Sequence, residues 1–342
     1  MLLQHWNQSL PVPVQTLVRG GYLAVQTFFI LSGFVLAQSY ANARWNRETL
    51  KRFVVARFAR IYPAYFVSLL LISWFALEFV LKAGHTAGEK ARVLGDYAFV
   101  LQGWNAPTVG WNTPAWSLSC EFFFYACFPL LLLCPGRSRM RYVWLAFAAA
   151  MIAPVALSHA GIPSFWKPIY HLADFVAGIA CARFYRALAE SSLPLRRVGL
   201  WLASAALVVG AGFIIDPHLF DGTLVNLNTA LRPTNMALLI GLAIGGGWLI
   251  EVLSHATAEY LGKVSYSMYI LHIPLLWWYS SYTSFRWGSA PPAWVGFLFI
   301  ALVIGASIAA YEFVEVPANR WIRDWSMARR QQAPERELKA AA

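Results

Sequence analysis

Apolar runs long enough to cross a hydrocarbon core recur along this chain, and the positive charge collects between them. The run over 22–41 contains Phe28-Phe29-Ile30-Leu31-Ser32-Gly33-Phe34-Val35-Leu36 and no charge. About twenty such residues make a helix of roughly 30 Å, which matches the apolar thickness of a bilayer. Further runs cover 61–81, 114–134, 142–159, 170–188, 199–215, 233–253, 264–283 and 293–313. In lipid each backbone N–H and C=O needs a partner, and a single continuous apolar run meets that need as a helix. The expectation is an all-α, polytopic transmembrane helix bundle with nine complete spans. Composition agrees, with 59% hydrophobic and 13% charged residues and a mean hydropathy of +0.52.

Charge orients the bundle. Arg44, Arg47, Lys51, Arg52, Arg57 and Arg60 follow the first run, opposed only by Glu48. A strongly basic connector between two spans belongs on the cytoplasmic side. Alternation from there puts 42–60, 135–141, 183–197, 251–263 and the tail from Glu315 inside. These segments hold 20 of the 27 Lys and Arg, and the outer segments hold Arg19, Lys82, Lys90, Arg92, Lys167, Arg232 and Arg286. The net charge of +11 is thereby explained by membrane insertion, and nucleic acid is not an expected partner. The bilayer is. The four cysteines form no metal or disulfide pattern. Cys120, Cys127 and Cys134 recur every seven residues, as small packing residues on a similar helix face would. The first twenty residues are too short and too polar to cross, and they lack the layout of a signal peptide.

Polar residues at membrane depth carry the functional information, because unpaired polar groups there are costly. Trp116-Ser117-Leu118-Ser119-Cys120-Glu121 opens an aromatic run, and Ser117 and Glu121 lie one turn apart. Glu121 is either a group that works on a substrate path or an interfacial carboxylate bonded to Ser117. Arg57 and Arg60 also lie one turn apart, at the inner mouth of a helix. They suit either a bidentate phosphate clamp or ordinary contact with lipid headgroups. His171 and Asp174 have the spacing of an oriented imidazole or a structural pair. His272 stands alone in the apolar run Tyr269-Ile270-Leu271-His272-Ile273-Pro274, as a core histidine or a site residue. Glu315 lies near the inner end of the last span, within reach of arginines such as Arg320, and Pro317 is expected to end or bend that helix. No P-loop, dinucleotide glycine pattern, nucleophile elbow or zinc signature is present. No metal site or permanently bound cofactor is expected.

Five motifs occur in the order typical of one family. They are Phe28-Phe29-Ile30-Leu31-Ser32-Gly33-Phe34, Arg57-Phe58-Ala59-Arg60-Ile61-Tyr62-Pro63, Trp116-Ser117-Leu118-Ser119-Cys120-Glu121, Ser265-Tyr266-Ser267-Met268-Tyr269-Ile270-Leu271-His272 and Glu315-Val316-Pro317. The set resembles the acyltransferase 3 family, integral-membrane O-acyltransferases of bacterial surface polysaccharides and related acceptors. The resemblance covers about residues 1–325, as one integral-membrane domain, with 326–342 as a cytoplasmic tail. It implies a ten-helix bundle in the bacterial inner membrane with its C-terminus cytoplasmic. Such a bundle takes an acyl group, usually acetyl, from cytoplasmic acyl-CoA and passes it to a hydroxyl of a glycan or lipid-linked sugar.

The first helix of that family carries a basic residue, ten intervening residues and a histidine. Leu2-Leu3-Gln4-His5-Trp6 matches the histidine end, so the resemblance makes His5 the catalytic candidate, as general base or transient acyl carrier. Glu121 follows it. The basic partner would fall before Met1, and the expectation is a first helix cut short by the start of the chain. Gln26 stands where the family often has an acid. By the same resemblance Arg57 and Arg60 would hold the phosphates of acyl-CoA, with Ser117, Trp116 and His272 along the substrate path or structural. Two rivals share the bundle: a transporter or flippase, and an inactive truncated homologue.

Overall fold

The computed structural model describes residues 23–82, 84–105, 111–133, 139–189, 195–215, 227–245, 247–288 and 292–325. His5, Cys134 and the tail from 326 lie outside these residues. Every regular element among the described residues is helical: α1 Leu23–Ser39, α2 Arg47–Leu81, α3 Ala87–Ala98, α4 Trp116–Leu133, α5 Arg139–His159, α6 Lys167–Ala189, α7 Leu195–Ile215, α8 Leu227–Ala243, α9 Trp248–Leu253, α10 Ala256–Trp287 and α11 Ala293–Ala310. Among them three helical segments are long and apolar enough to span a membrane: Arg47–Leu81, Thr113–Leu132 and Trp294–Trp325. Shorter apolar helices cover Ala24–Ser39, Trp144–His159 and Arg197–Phe213.

Two compact units divide the chain. The first takes the residues up to Ala43, Gly103–Asn105 and Ser119–Ala258, and the second takes the rest. In the first unit α1 packs along α6, α5 and α8 join them, and α7 lies on α8. Ile30, Ala150, Ala173, Ala177, Cys181 and Met236 form the shared core. Glycine sets the closeness of α1 and α6. A Cβ on Gly33 would lie 2.1 Å from the Phe175 carbonyl oxygen, and one on Gly178 would lie 1.9 Å from that of Ile30. The two backbones therefore touch, as membrane helices do where small residues face each other. Gly199 and Gly241 do the same for α7 and α8, each blocked by backbone of the other helix at 2.7 Å.

In the second unit the basic segment expected as a connector is largely helix. Asn46 caps α2 by accepting from the Thr49 N–H at 2.8 Å. Glu48 then sits in the first turn, where it favours the helix dipole, and pairs with Arg52 at 3.2 Å. Arg and Lys are good helix formers, so charge did not mark a loop here. Leu69, Ile72 and Phe75 of α2 pack against Val93 and Tyr97 of α3 and against Trp111. Helix α3 is opened by a capping box, Thr86 with Glu89.

Two other boundaries differ from the sequence expectation. The run 233–253 is two helices, α8 and α9, because Gly245 and Gly247 between them take positive φ of 123° and 56°. Of the two outcomes expected of the last helix at Pro317, an end or a bend, the end does not occur. Tyr311–Glu315 winds as a π-turn, and α-helix resumes through 316–325. The widened turn accommodates the donor that Pro317 lacks.

Candidate functional site

Among the described residues each unit holds a buried polar centre that includes residues singled out in the sequence. In the first unit it is built around Asp174, which is fully buried on α6. Its Oδ1 accepts from Arg232 Nε of α8 at 2.6 Å and from Gln26 Nε2 of α1 at 3.0 Å. Its Oδ2 meets His171 Nδ1, one turn earlier on α6, at 2.8 Å. Arg232, 2% exposed, also donates from Nη1 to the Ala150 carbonyl of α5 at 2.7 Å. Gln26 Oε1 in turn accepts from Asn235 Nδ2 at 3.1 Å. Four helices are thus bonded through one carboxylate and its arginine. A charge buried this deeply persists only with such a full set of partners.

The Phe29 ring lies against the His171 imidazole, with centroids 5.2 Å apart. Glu121, half-buried on α4, accepts from the Tyr125 hydroxyl at 2.8 Å. Cys120 and Cys181 are buried as packing residues, whereas Cys127 is half-buried.

The second unit's centre is Glu315, whose side chain is 4% exposed. It accepts from Arg60 Nη1 at 2.9 Å and from the Ser267 hydroxyl. The expected partner Arg320 is replaced by Arg60, which reaches Glu315 from α2. The Arg60 guanidinium also lies over the Tyr266 ring, 5.6 Å from its centroid, and the Tyr266 hydroxyl donates to the Ile61 carbonyl at 2.7 Å. With 41% of its side chain exposed and further N–H donors on the guanidinium, Arg60 can bond an anion while keeping Glu315. Arg57 is half-buried one turn ahead on the same helix.

The Ser117 hydroxyl does not bond the Glu121 carboxylate. Ser117 Oγ donates to the Pro114 carbonyl at 3.0 Å, as does the Tyr269 hydroxyl at 3.0 Å. His272 Nδ1 donates to the Tyr269 carbonyl at 2.7 Å, which leaves Nε2 as its basic nitrogen. Asn112 Nδ2 bonds Ser68 Oγ at 3.0 Å and the Ile270 carbonyl at 3.2 Å. Ser117, Tyr269, His272 and Asn112 therefore gather around one turn of α10 and the Pro114 turn, with Trp116 half-buried beside them. Among the described residues no three His, Cys, Asp or Glu group closely enough to share a metal ion.

Arg232 is the residue that sequence reasoning placed wrongly. Expected in an outer segment, it is instead a buried cation inside α8. Gln26, which the sequence marks only by its departure from the family's acid, is a ligand of the same centre.

Comparison with known proteins agrees with the motif order. Residues 1–312 match the acyltransferase 3 family, an acyltransferase domain. The chain is similar to Acyltransferase MdmB of Streptomyces mycarofaciens, 29% identical over 288 residues that make up 75% of this chain and 68% of that protein. A protein of Staphylococcus aureus (strain COL) that carries an O-acetyltransferase name is 23% identical over 334 residues, 88% of this chain and 53% of its own. This chain therefore spans about half the length of that relative. Protein 2 in picA locus of Rhizobium radiobacter is 40% identical over 84 residues, 23% of this chain. No solved structure matches.

Proposed function

Because the chain belongs to the acyltransferase 3 family, we propose that it transfers an acyl group, acetyl in the simplest case, from cytoplasmic acyl-CoA to a hydroxyl of a glycan or lipid-linked sugar across the bacterial inner membrane. The observation that carries this reading is the family match over 1–312, which takes in four of the five motifs completely and both polar centres apart from Glu315. A sugar hydroxyl, with a pKa far above 7, attacks a thioester slowly unless a neutral base takes its proton as the bond forms. His5 supplies that base or carries the acyl group as an intermediate. Arg60, held over Tyr266 and tied to Glu315, together with Arg57, offers planar, permanently charged donors to the phosphates of CoA. In the second unit Ser117, Trp116 and His272 offer polar and aromatic contacts to a substrate, and in the first unit Glu121 offers a carboxylate.

The test is full-length protein in membrane vesicles given radiolabelled acetyl-CoA without any solute gradient. Release of CoA thiol with label appearing on a saccharide fraction supports the reading, and His5→Ala should abolish it while the protein remains inserted. Vesicles that cleave no thioester refute it, and gradient-dependent solute movement in the same vesicles would establish a transporter.

A further inference from the structure

We propose that His171 is a second base of this reaction, held for that task by Asp174, Arg232 and Gln26. The proposal rests on the acyl-transfer reading above. Its ground is the way the centre treats its members. Asp174 is fully buried and Arg232 is 2% exposed, whereas 19% of the His171 side chain remains open. The imidazole is thus the one ionisable member of the three that meets the outside of the centre.

Asp174 fixes its tautomer. The Oδ2 acceptor at 2.8 Å holds the proton on Nδ1, so the neutral ring is basic at Nε2. Arg232 at 2.6 Å neutralises the carboxylate's charge and Gln26 at 3.0 Å keeps it oriented. The Phe29 ring, 5.2 Å away, restricts the imidazole from another side. A purely structural ion pair needs only Asp174 and Arg232, and those two already bond α6, α8 and α5. The histidine adds an oriented base at the edge of that pair. The groups that the centre brings to it include Asp174 on its own helix, Phe29 and, through Asp174, Gln26 from α1, and Arg232 from α8.

His171 lies one turn beyond Lys167, at the end of α6 that the charge distribution places outside, so the hydroxyl it serves belongs to the acceptor. On the route in which His5 carries the acyl group, the acyl carbon passes to His5, the C–S bond breaks and CoA leaves as the free thiol with the His5 proton. The acceptor's hydroxyl oxygen then attacks that acyl carbon: a C–O bond forms, the C–N bond to His5 breaks, and the hydroxyl proton passes to His171 Nε2 and from there to the freed His5 nitrogen.

His171→Asn tests this, because the Asn amide keeps a donor near the Nδ1 position for Asp174 and removes the base. Full-length protein in nanodiscs is given acetyl-CoA with octyl glucoside as the hydroxyl acceptor, and thiol release and acetylated glucoside are followed from pH 5 to 9. The expected result is a fall in kcat of about 100-fold, in the range of a lost general base. KM for acetyl-CoA and the thermal midpoint stay unchanged, and the acid limb of the kcat profile due to His171 disappears. His171→Gln, which replaces the Nε2 end instead, provides the same readings if the Asn variant does not fold. Wild-type protein that cleaves no acetyl-CoA refutes the acyl-transfer reading itself. Active wild type with a His171 variant within threefold of it, or a variant whose loss tracks a lowered midpoint with an unchanged pH profile, overturns the role of His171 alone.

Discussion

Gly33→Ala adds one methyl group to a helix interior, and it should damage this protein more than its size suggests. The new Cβ would lie 2.1 Å from the Phe175 carbonyl oxygen and 3.2 Å from the Ile179 nitrogen. An acceptable contact begins near 3.4 Å, so α1 and α6 must separate by about 1.3 Å if nothing else yields. Both obstacles are backbone, and no rotamer can relieve them. Overpacking a core of this kind costs about 1–3 kcal/mol. Separation would further stretch bonds that cross the same seam, from Gln26 to Asp174 at 3.0 Å and from Arg186 Nε to Gln38 at 2.7 Å. A loss of about 3 kcal/mol is expected, read as a lowered midpoint of thermal aggregation in detergent. Gly212→Ala provides the control. Gly212 lies on α7 in the same unit, and a methyl group added there would meet nothing within 4 Å. Replacing an exposed helical glycine by alanine gains up to about 1 kcal/mol. The two substitutions should therefore shift the midpoint in opposite directions. Equal shifts, or a Gly33→Ala protein as stable as wild type, would refute the backbone contact between α1 and α6.

Arg232→Met leaves Asp174 buried without its cation, and about 3–5 kcal/mol of stability should be lost; the double variant with Asp174→Asn should recover part of it in the same thermal assay. Arg60→Lys keeps a charge near Glu315 but loses the planar fork, so the Kd for CoA, measured by calorimetry on protein in nanodiscs, should rise about tenfold, near 1.4 kcal/mol. On α3, outside the candidate spans, the Thr86 backbone N–H and then its hydroxyl hold the Glu89 carboxyl below the usual carboxylate range. A depressed folded value means that the stabilisation is present above the unfolded pKa and is lost as pH falls through the folded one. Amide exchange in the first turn of α3 should therefore lose protection below about pH 4.5, and Glu89→Gln should remove that dependence.

The helices were legible because continuous apolar runs have only one way to satisfy their backbone in lipid. Their ends were not. Arg47 to Arg60 look like a connector by charge, yet Asn46 and Glu48 begin a helix there, and good helix formers continue it. The break after α8 could have been read from three consecutive glycines, since only the chain's shift to positive φ at Gly245 and Gly247 ends an otherwise apolar run. The π-turn before Pro317 has no such local signal, because it depends on the hydrogen-bond pattern of a helix that continues past the proline.

Arg232 shows why half of the first unit's centre was hidden. Next to Pro233 it resembles a charged residue just ahead of a helix, since proline is favoured in a first turn. In the structure α8 begins at Leu227, and the arginine falls inside it. Its partner Asp174 is 58 positions away in sequence, and no local spacing connects the two. Spacing did reveal His171 and Asp174 as a pair on one helix. It could not reveal that the carboxylate is held in place by α8 and α1, and that clamp is what distinguishes an oriented imidazole from a surface pair. The same limit applies to Arg60 and Glu315, which are 255 positions apart: the motifs named both residues, and only the fold joined them. In the first unit the sequence marks one side of a buried charge pair and in the second it marks both, but in neither does local spacing show that the two sides meet.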